Sequence, residues 1–227
     1  MALAGEAFVI MWHDISEEGD AEYNQWHTRQ HMPERIDLPG FLRSRRGVNR
    51  ALDRQRYFTL YEGDSLETFL SPEYARSLNF PTEWTTRVAP SFRNFLRTAC
   101  SVTNTGGQGI GGGIATLRAS LPEGVTEAET LERLAPIIEE IAALPSVTAV
   151  HVGCDRTAFA GGATRETELR PAMSEPRFDL VVVVEGIGLA ELAADEPAMM
   201  AAVTRSRCRD VIAQSYDVAY ILARPGL

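Results

Sequence analysis

The stretch Tyr57-Phe58-Thr59-Leu60-Tyr61-Glu62-Gly63 returns in the second half of the chain as Asp179-Leu180-Val181-Val182-Val183-Val184-Glu185-Gly186. Both are short runs of β-branched and aromatic residues, the composition of a buried strand. Each closes on Glu-Gly and leads into a helical pattern. The likeness extends outward on both sides. Leu38-Pro39-Gly40-Phe41 precedes the first copy as Leu144-Pro145-Ser146-Val147 precedes the second. Around the first copy, residues 6–12, 41–48, 56–62 and 92–102 read as strands, with helices over 19–36 and, brokenly, 66–79. Around the second, strands are expected over 114–120, 147–154, 178–185 and 216–223, with helices over 127–143 and 189–203. The order β-α-β-β-α-β therefore occurs twice, and self-similarity of this kind outranks any local motif.

One such unit covers a single face of its sheet with its two helices and leaves the other face bare. The expected fold class is α+β: two tandem ferredoxin-like units packed sheet to sheet as an α+β barrel, closed within one chain. The expected division is 1–104 for the first unit, 105–113 for a linker and 114–227 for the second unit. The linker is Gly106-Gly107-Gln108-Gly109-Ile110-Gly111-Gly112-Gly113. It contains the letters GxGxxG, but a dinucleotide loop must leave a strand and open a helix, and here a strand follows. A flexible connection is the expectation.

Charge and composition narrow the function. A formal charge of −9 over 227 residues disfavours nucleic acid as a partner, since phosphate binding needs a basic surface. No apolar run approaches the roughly 20 residues of a membrane span, and no secretory leader pattern opens the chain. Cys100, Cys154 and Cys208 form neither a CxxC pair nor a disulfide framework. A cytoplasmic protein with no membrane or nucleic-acid partner is expected; the outer sheet edges leave a homodimer open.

Chemistry concentrates in Tyr23-Asn24-Gln25-Trp26-His27-Thr28-Arg29-Gln30-His31-Met32-Pro33-Glu34-Arg35. Two of the chain's four histidines stand here, four residues apart. On a helix, positions i and i+4 share a face, so Tyr23, His27, His31 and Glu34 or Arg35 form one ionisable stripe. The corresponding helix of the second half carries no such stripe, which predicts one site per chain and not two. Strand alternation adds candidates. In the second half Val147, Ala149 and His151 should face away from the helices. Matched through Pro39 and Pro145, His151 falls where Arg45 stands, so Arg43 and Arg45 are expected on that same face with Phe41.

Glu22-Tyr23-Asn24, Trp26-His27, His31-Met32-Pro33-Glu34-Arg35 and Pro39-Gly40-Phe41 together resemble the EthD-like branch of the dimeric α+β barrel superfamily. There a segment of this pattern forms the first helix and enters the second strand. The motif covers about twenty residues, and the element order extends the likeness, more weakly, along the chain. The resemblance implies a barrel with a small-molecule cavity. Relatives include muconolactone isomerases, polyketide cyclases, cofactor-free monooxygenases, and haem-binding branches such as chlorite dismutases. Fold alone does not choose among them.

A histidine can take and give a proton near neutral pH. His31 as general base or acid, His27 as its partner and Tyr23 behind them suit proton abstraction beside a carbonyl. Arg45 would hold an anionic group or a developing enolate, and Arg43, Trp26, His151, Arg35 and His13 would line the substrate site. The expectation is a catabolic isomerase, lyase, cyclase or hydratase acting on a small carbonyl- or carboxylate-bearing molecule, with no cofactor and no metal. Three alternatives remain. HxxxH could hold zinc or iron with a third ligand from His13, Asp14, Glu22 or Glu34, although the glutamate of HExxH is absent. Haem could be held by His151 or His31. The stripe could also serve a binding module without catalysis.

Overall fold

The computed structural model describes residues 2–157, 163–172 and 175–226. Among the described residues there are eight strands: β1 (Ala7–Ile15), β2 (Phe41–Val48), β3 (Tyr57–Gly63), β4 (Phe92–Gly107), β5 (Gly113–Ser120), β6 (Val147–Asp155), β7 (Leu180–Gly186) and β8 (Arg209–Ala223). The helices are α1 (Asp20–Trp26), α2 (Met32–Ile36), α3 (Pro72–Asn79), α4 (Glu83–Val88), α5 (Glu127–Ala142), α6 (Arg165–Glu168) and α7 (Leu189–Arg205). The expected β-α-β-β-α-β order appears twice. Differences lie mostly at ends: β4 continues to Gly107, β8 begins at Arg209, and α4 is an element the sequence reading left out. Thr82 starts α4, its hydroxyl accepting from the Thr85 amide at 3.1 Å.

The chain divides into two compact units. One, the histidine-bearing unit, comprises Ala4–Ala99 with Arg156–Glu175 and Ala219–Leu227; the other comprises Met1–Leu3, Cys100–Asp155 and Pro176–Val218. β4 and β8 run from one unit into the other, and the eight strands are hydrogen-bonded in the order β1-β3-β2-β8-β5-β7-β6-β4, the order of a closed barrel. The order β4-β1-β3-β2 and its counterpart β8-β5-β7-β6 are those of the ferredoxin-like pattern repeated.

In the histidine-bearing unit, β3 is the central strand. It pairs antiparallel with β1 (His13 opposite Tyr57, Ala7 opposite Gly63) and with β2 (Arg46 opposite Thr59). Ala7, Val9 and Met11 face the helices and pack with Met32, Ile36, Phe41, Tyr61 and Phe69. Phe8, Ile10 and Trp12, on the other face of β1, are fully buried as well. Gly40 makes the α2–β2 turn at φ +81°, and a Cβ there would stand 2.4 Å from the Thr68 hydroxyl, so only glycine fits.

In the second unit, Val150, Val152, Val182 and Val184 pack with Leu134, Ile138 and Leu192. The face of β6 carrying Val150 and Val152 therefore meets the helices, as alternation predicts. α5 begins with a full capping box: the Thr126 hydroxyl accepts from the Glu129 amide, and the Glu129 carboxylate accepts from the Thr126 amide. The glycine-rich stretch joins β4 to β5. A Cβ on Gly111 would lie 1.7 Å from the Gly186 carbonyl oxygen, so close backbone approach requires glycine there.

Candidate active site

The segment bearing the stripe is not one regular α-helix. α1 and α2 are joined by a π-helical turn, His27–His31. Pro33 has no N–H to give the Arg29 carbonyl, which disfavours a tight α-turn at that point. Single π-turns inside helices recur at functional sites. This one lies on the buried side: Tyr23, Trp26, His27, His31 and Arg35 are all at most 5 % exposed.

The turn aligns a row of rings under the helix. His27 and His31 lie near-parallel with centroids 5.6 Å apart, and Tyr23 stacks on His27 at 5.1 Å. Trp26 lies 4.3 Å from His31, its indole N–H held by the Thr85 hydroxyl at 3.1 Å. At the far end, His13 Nε2 meets the Tyr23 hydroxyl at 2.8 Å, and its ring packs against Tyr57, Phe92 and Phe95. His27 makes two long contacts of 3.5 Å, Nδ1 with Arg46 Nη1 and Nε2 with the Tyr61 hydroxyl. A guanidinium can only donate, so the network assigns the His27 lone pair to Nδ1 and its proton to Nε2.

Burial keeps these imidazoles neutral. It lowers His27 and His31 well below the ordinary 6.5; His31 and Arg46 push His27 further, and Arg35 and Arg170 push His31. His13 falls to about 3, from burial first and then Arg170, with Asp14 opposing. Burial likewise raises Tyr23 and Tyr61 above the usual phenol range.

Of the stripe, His31 and Arg35 reach open space. They line a cavity of about 80 Å³ together with Tyr61, Tyr74, Arg97, Glu166 and Arg170. Buried His31 Nδ1 has no hydrogen-bond partner. Arg35 donates to Glu166 at 2.7 Å and lies over the Tyr74 ring. Burial alone would lower Arg35, but Glu166, Tyr74 and Tyr61 outweigh it and raise its pKa. Arg170 also pairs with Glu166 and sits over the Phe95 ring at 4.1 Å. Arg97 donates to the Tyr74 hydroxyl at 3.3 Å.

Two expected site residues lie elsewhere in this unit. Arg43 and Arg45 close on Glu62, at 2.6 and 2.9 Å, on the sheet face opposite the stripe. Phe41 does not share their face; it packs under the helices. A bulge between Phe41 and Arg43 resets the alternation, so that Arg43 and Arg45 face away from the helices as expected while Phe41 does not, and Arg46 reaches His27. His151 belongs to the second unit, where its Nδ1 meets the Thr105 hydroxyl at 2.8 Å.

Arg46, Tyr61, Tyr74, Arg97, Glu166 and Arg170 were not foreseen from sequence. Glu166 and Arg170 stand at helical i,i+4 spacing in a polar connection, a signal that was present. Among the described residues no three His, Cys, Asp or Glu side chains gather as a metal would need. Both His27 nitrogens are engaged, and the surrounding guanidiniums oppose a dication. The His31 cavity is polar and too narrow for a porphyrin, so the residues there do not fit haem.

No protein-family model matches the chain, and no curated protein matches it by sequence. Solved structures do match in fold. An anthrone oxidase-like protein superposes with a TM-score of 0.64 at 15 % identity, over 98 % of this chain and 94 % of its own. A proposed monooxygenase from Fusobacterium nucleatum subsp. nucleatum gives 0.58 at 12 % identity, over 99 % and 98 %. A mutant chlorite dismutase from Candidatus Nitrospira defluvii gives 0.58 at 9 % identity, over 96 % and 92 %. The chain thus has the ferredoxin-like α+β barrel fold of these proteins. At such identities the likeness is one of fold alone. No helix among the described residues is long and apolar enough to cross a membrane.

Proposed function

We propose that the cavity beside His31 binds a small organic molecule with an acidic C–H or O–H conjugated to a carbonyl, and that neutral His31 takes the proton. The single observation that carries this is a neutral imidazole lining a cavity with three guanidiniums, Arg35, Arg97 and Arg170. Desolvation leaves the imidazole unprotonated, with a lone pair to offer. The guanidiniums favour the enolate or phenolate that forms, and they are in place before the reaction. An anion bound among them raises the basicity of His31, because it offsets the charges that oppose imidazolium. His27 and Tyr23 orient His31 from behind by ring stacking and do not reach the cavity.

Isomerisation, elimination and cyclisation can begin with this step, and in hydration the same base would take its proton from water; the resemblance of the His27–Arg35 segment to the EthD-like branch supports a reading of that kind. The anthrone oxidase-like neighbour fits the same class, since an anthrone carries a CH₂ acidified through its rings by a carbonyl. Cys208 is a buried free cysteine, which suits a reducing compartment.

The test is hydrogen–deuterium exchange of enolisable keto acids and lactones in D₂O, followed by NMR with wild type and His31→Ala. Loss of one positioned base slows such a step about 10²- to 10⁴-fold. A folded His31→Ala protein that exchanges every accepted substrate at the wild-type rate would refute the assignment.

A further inference from the structure

Glu166 is 3 % exposed, and the structure places its carboxylate between two guanidiniums at the wall of the His31 cavity. It arrives from Arg156–Glu175, an excursion that belongs to the compact unit built on the first half of the chain, although it leaves the chain after β6. Arg165 and Glu168, its neighbours on α6, point to solvent and pair with each other. Glu166 alone is driven inward.

The charges at this wall do not balance. Arg35, Arg97 and Arg170 line the cavity, and Glu166 is the only carboxylate among its lining residues. One anion therefore faces three cations, and His31 contributes none because it is neutral. The buried guanidiniums favour a further negative group.

Arg35 and Glu166 also line a second, wider hollow. It measures about 310 Å³ and is bordered by Glu34, Asp37, Phe80 and Thr82, so these two acidic groups lie toward its outer side and the guanidiniums toward the narrow cavity. The ion pair is thus common to the narrow cavity and the open hollow. The narrow cavity holds less than the roughly 150 Å³ that accommodates a benzene ring. The two hollows joined reach the size usual for small-molecule sites. Phe80 stands at the rim of the outer one, an apolar ring 78 % exposed.

We propose that Glu166 occupies a carboxylate subsite formed by Arg35 and Arg170, and that the substrate is an organic carboxylate with an apolar, ring-sized body that takes its place. The incoming carboxylate replaces Glu166 on the two guanidiniums, and its apolar part lies in the outer hollow against Phe80. Displacing Glu166 opens the wall between the hollows and gives the ligand access to His31. The inference rests on taking the His31 cavity as a binding site and names its substrate class; it does not need the proton transfer.

The experiment is anion binding, with no turnover involved. Benzoate is titrated by calorimetry into wild type, Glu166→Gln and Glu166→Arg. Glu166→Gln should bind benzoate at least tenfold tighter than wild type, because the internal competitor has lost its charge. Glu166→Arg, which removes the competitor and adds a cation, should also bind it more tightly than wild type. A second arm uses Glu166→Ala, with acetate filling the vacated carboxylate position. Acetate should raise its melting temperature in a saturable way, and chloride at equal ionic strength should not. If a Glu166 variant does not fold alone, refolding in acetate but not in chloride supports the proposal, and failure in both overturns it. Folded Glu166→Gln and Glu166→Ala that bind benzoate and acetate no better than wild type would show Glu166 to be a structural bridge only. A positive binding result with unchanged exchange in His31→Ala would leave the subsite standing and remove the acid–base assignment.

Discussion

The segment α1–α2 and the helix α5 hold the same position in their two repeats, each the first helix of a β-α-β-β-α-β unit, and they bury opposite kinds of surface. α5 presents Thr130, Leu134, Ile137, Ile138 and Ile141 to its sheet. The first-half segment presents Met32 and Ile36 but also Tyr23, Trp26, His27, His31 and Arg35. The topology asks only that a helix face be covered, and α5 meets that demand with side chains that need no partners. Burying imidazoles and a guanidinium costs desolvation, which hydrogen bonds and ring contacts only partly return. Such a face persists against its cost for a reason other than folding. That contrast, more than any motif, supports the proposed site.

The largest expected difference between the two faces is in their response to acid. His13, His27 and His31 all have folded pKa values lowered from the ordinary 6.5. Below pH 6.5 the unfolded chain therefore binds protons that the folded chain refuses. Stability is full above pH 6.5 and falls as pH drops toward the folded values, for His13 toward about 3. Each such group costs about 1.4 kcal/mol per pH unit in that window, so three together remove several kcal/mol by pH 5. Asp14 and Asp20, whose pKa values are lowered, act only further down, below the ordinary carboxylate range. Urea midpoints at pH 7.5, 6.5, 5.5 and 5 are the measurement. Equal stability at pH 7.5 and 5 would mean that these histidines are not held neutral.

Next in size is the exchange of a single residue on each face. Leu134→Ala should cost about 2–5 kcal/mol, the usual loss for a buried leucine, and leave the acid slope and the His31 chemistry as they were. His31→Leu should do the reverse, keeping or raising stability while abolishing proton abstraction, since it removes a desolvated polar group. Denaturation and exchange measured on the same two proteins decide it. A Leu134→Ala variant that lost catalysis in proportion to stability would undo the division of labour between the helices.

Much of this was legible in the sequence, and what was not has identifiable causes. Val150 and Val152 reach the helices as period-two alternation requires. Alternation held for Arg43 and Arg45, which face away from the helices as expected, and failed for Phe41, which an extra residue before Arg43 turns under the helices. Composition gives no warning of such a bulge, and the stripe, expected to border the face that Arg45 occupies, lies on the helix side with Arg46. The stripe itself was readable, but its π-turn was not; Pro33 was the only hint. Glu166 was out of reach for another reason. Its partner Arg35 lies 131 residues away, and nothing local shows that a polar connection in the second half packs on the first.

The smallest effect expected is at the helix starts. α5 is secured by its capping box, Thr126 with Glu129, whereas α1 follows Gly19 with no side-chain cap. Thr126 leaves two groups unpaired when removed, the Glu129 amide and one side of the Glu129 carboxylate. Both are solvent-exposed, so water replaces part of what is lost. Thr126→Ala should therefore cost about 1 kcal/mol. Gly19→Ala cannot cost α1 a cap it does not have, but a Cβ at Gly19 would stand 2.6 Å from the Ser91 Cβ and force a shift there. The instructive pair is Thr126→Ala with Thr126→Ser, read by urea denaturation. Serine keeps the hydroxyl and should return most of the loss; if it returns none, the threonine methyl and not the cap holds the start of α5. A cap effect near zero would mean that the apolar face alone fixes this helix, sharpening the contrast with the α1–α2 segment, which buries two histidines and an arginine and whose start is bare.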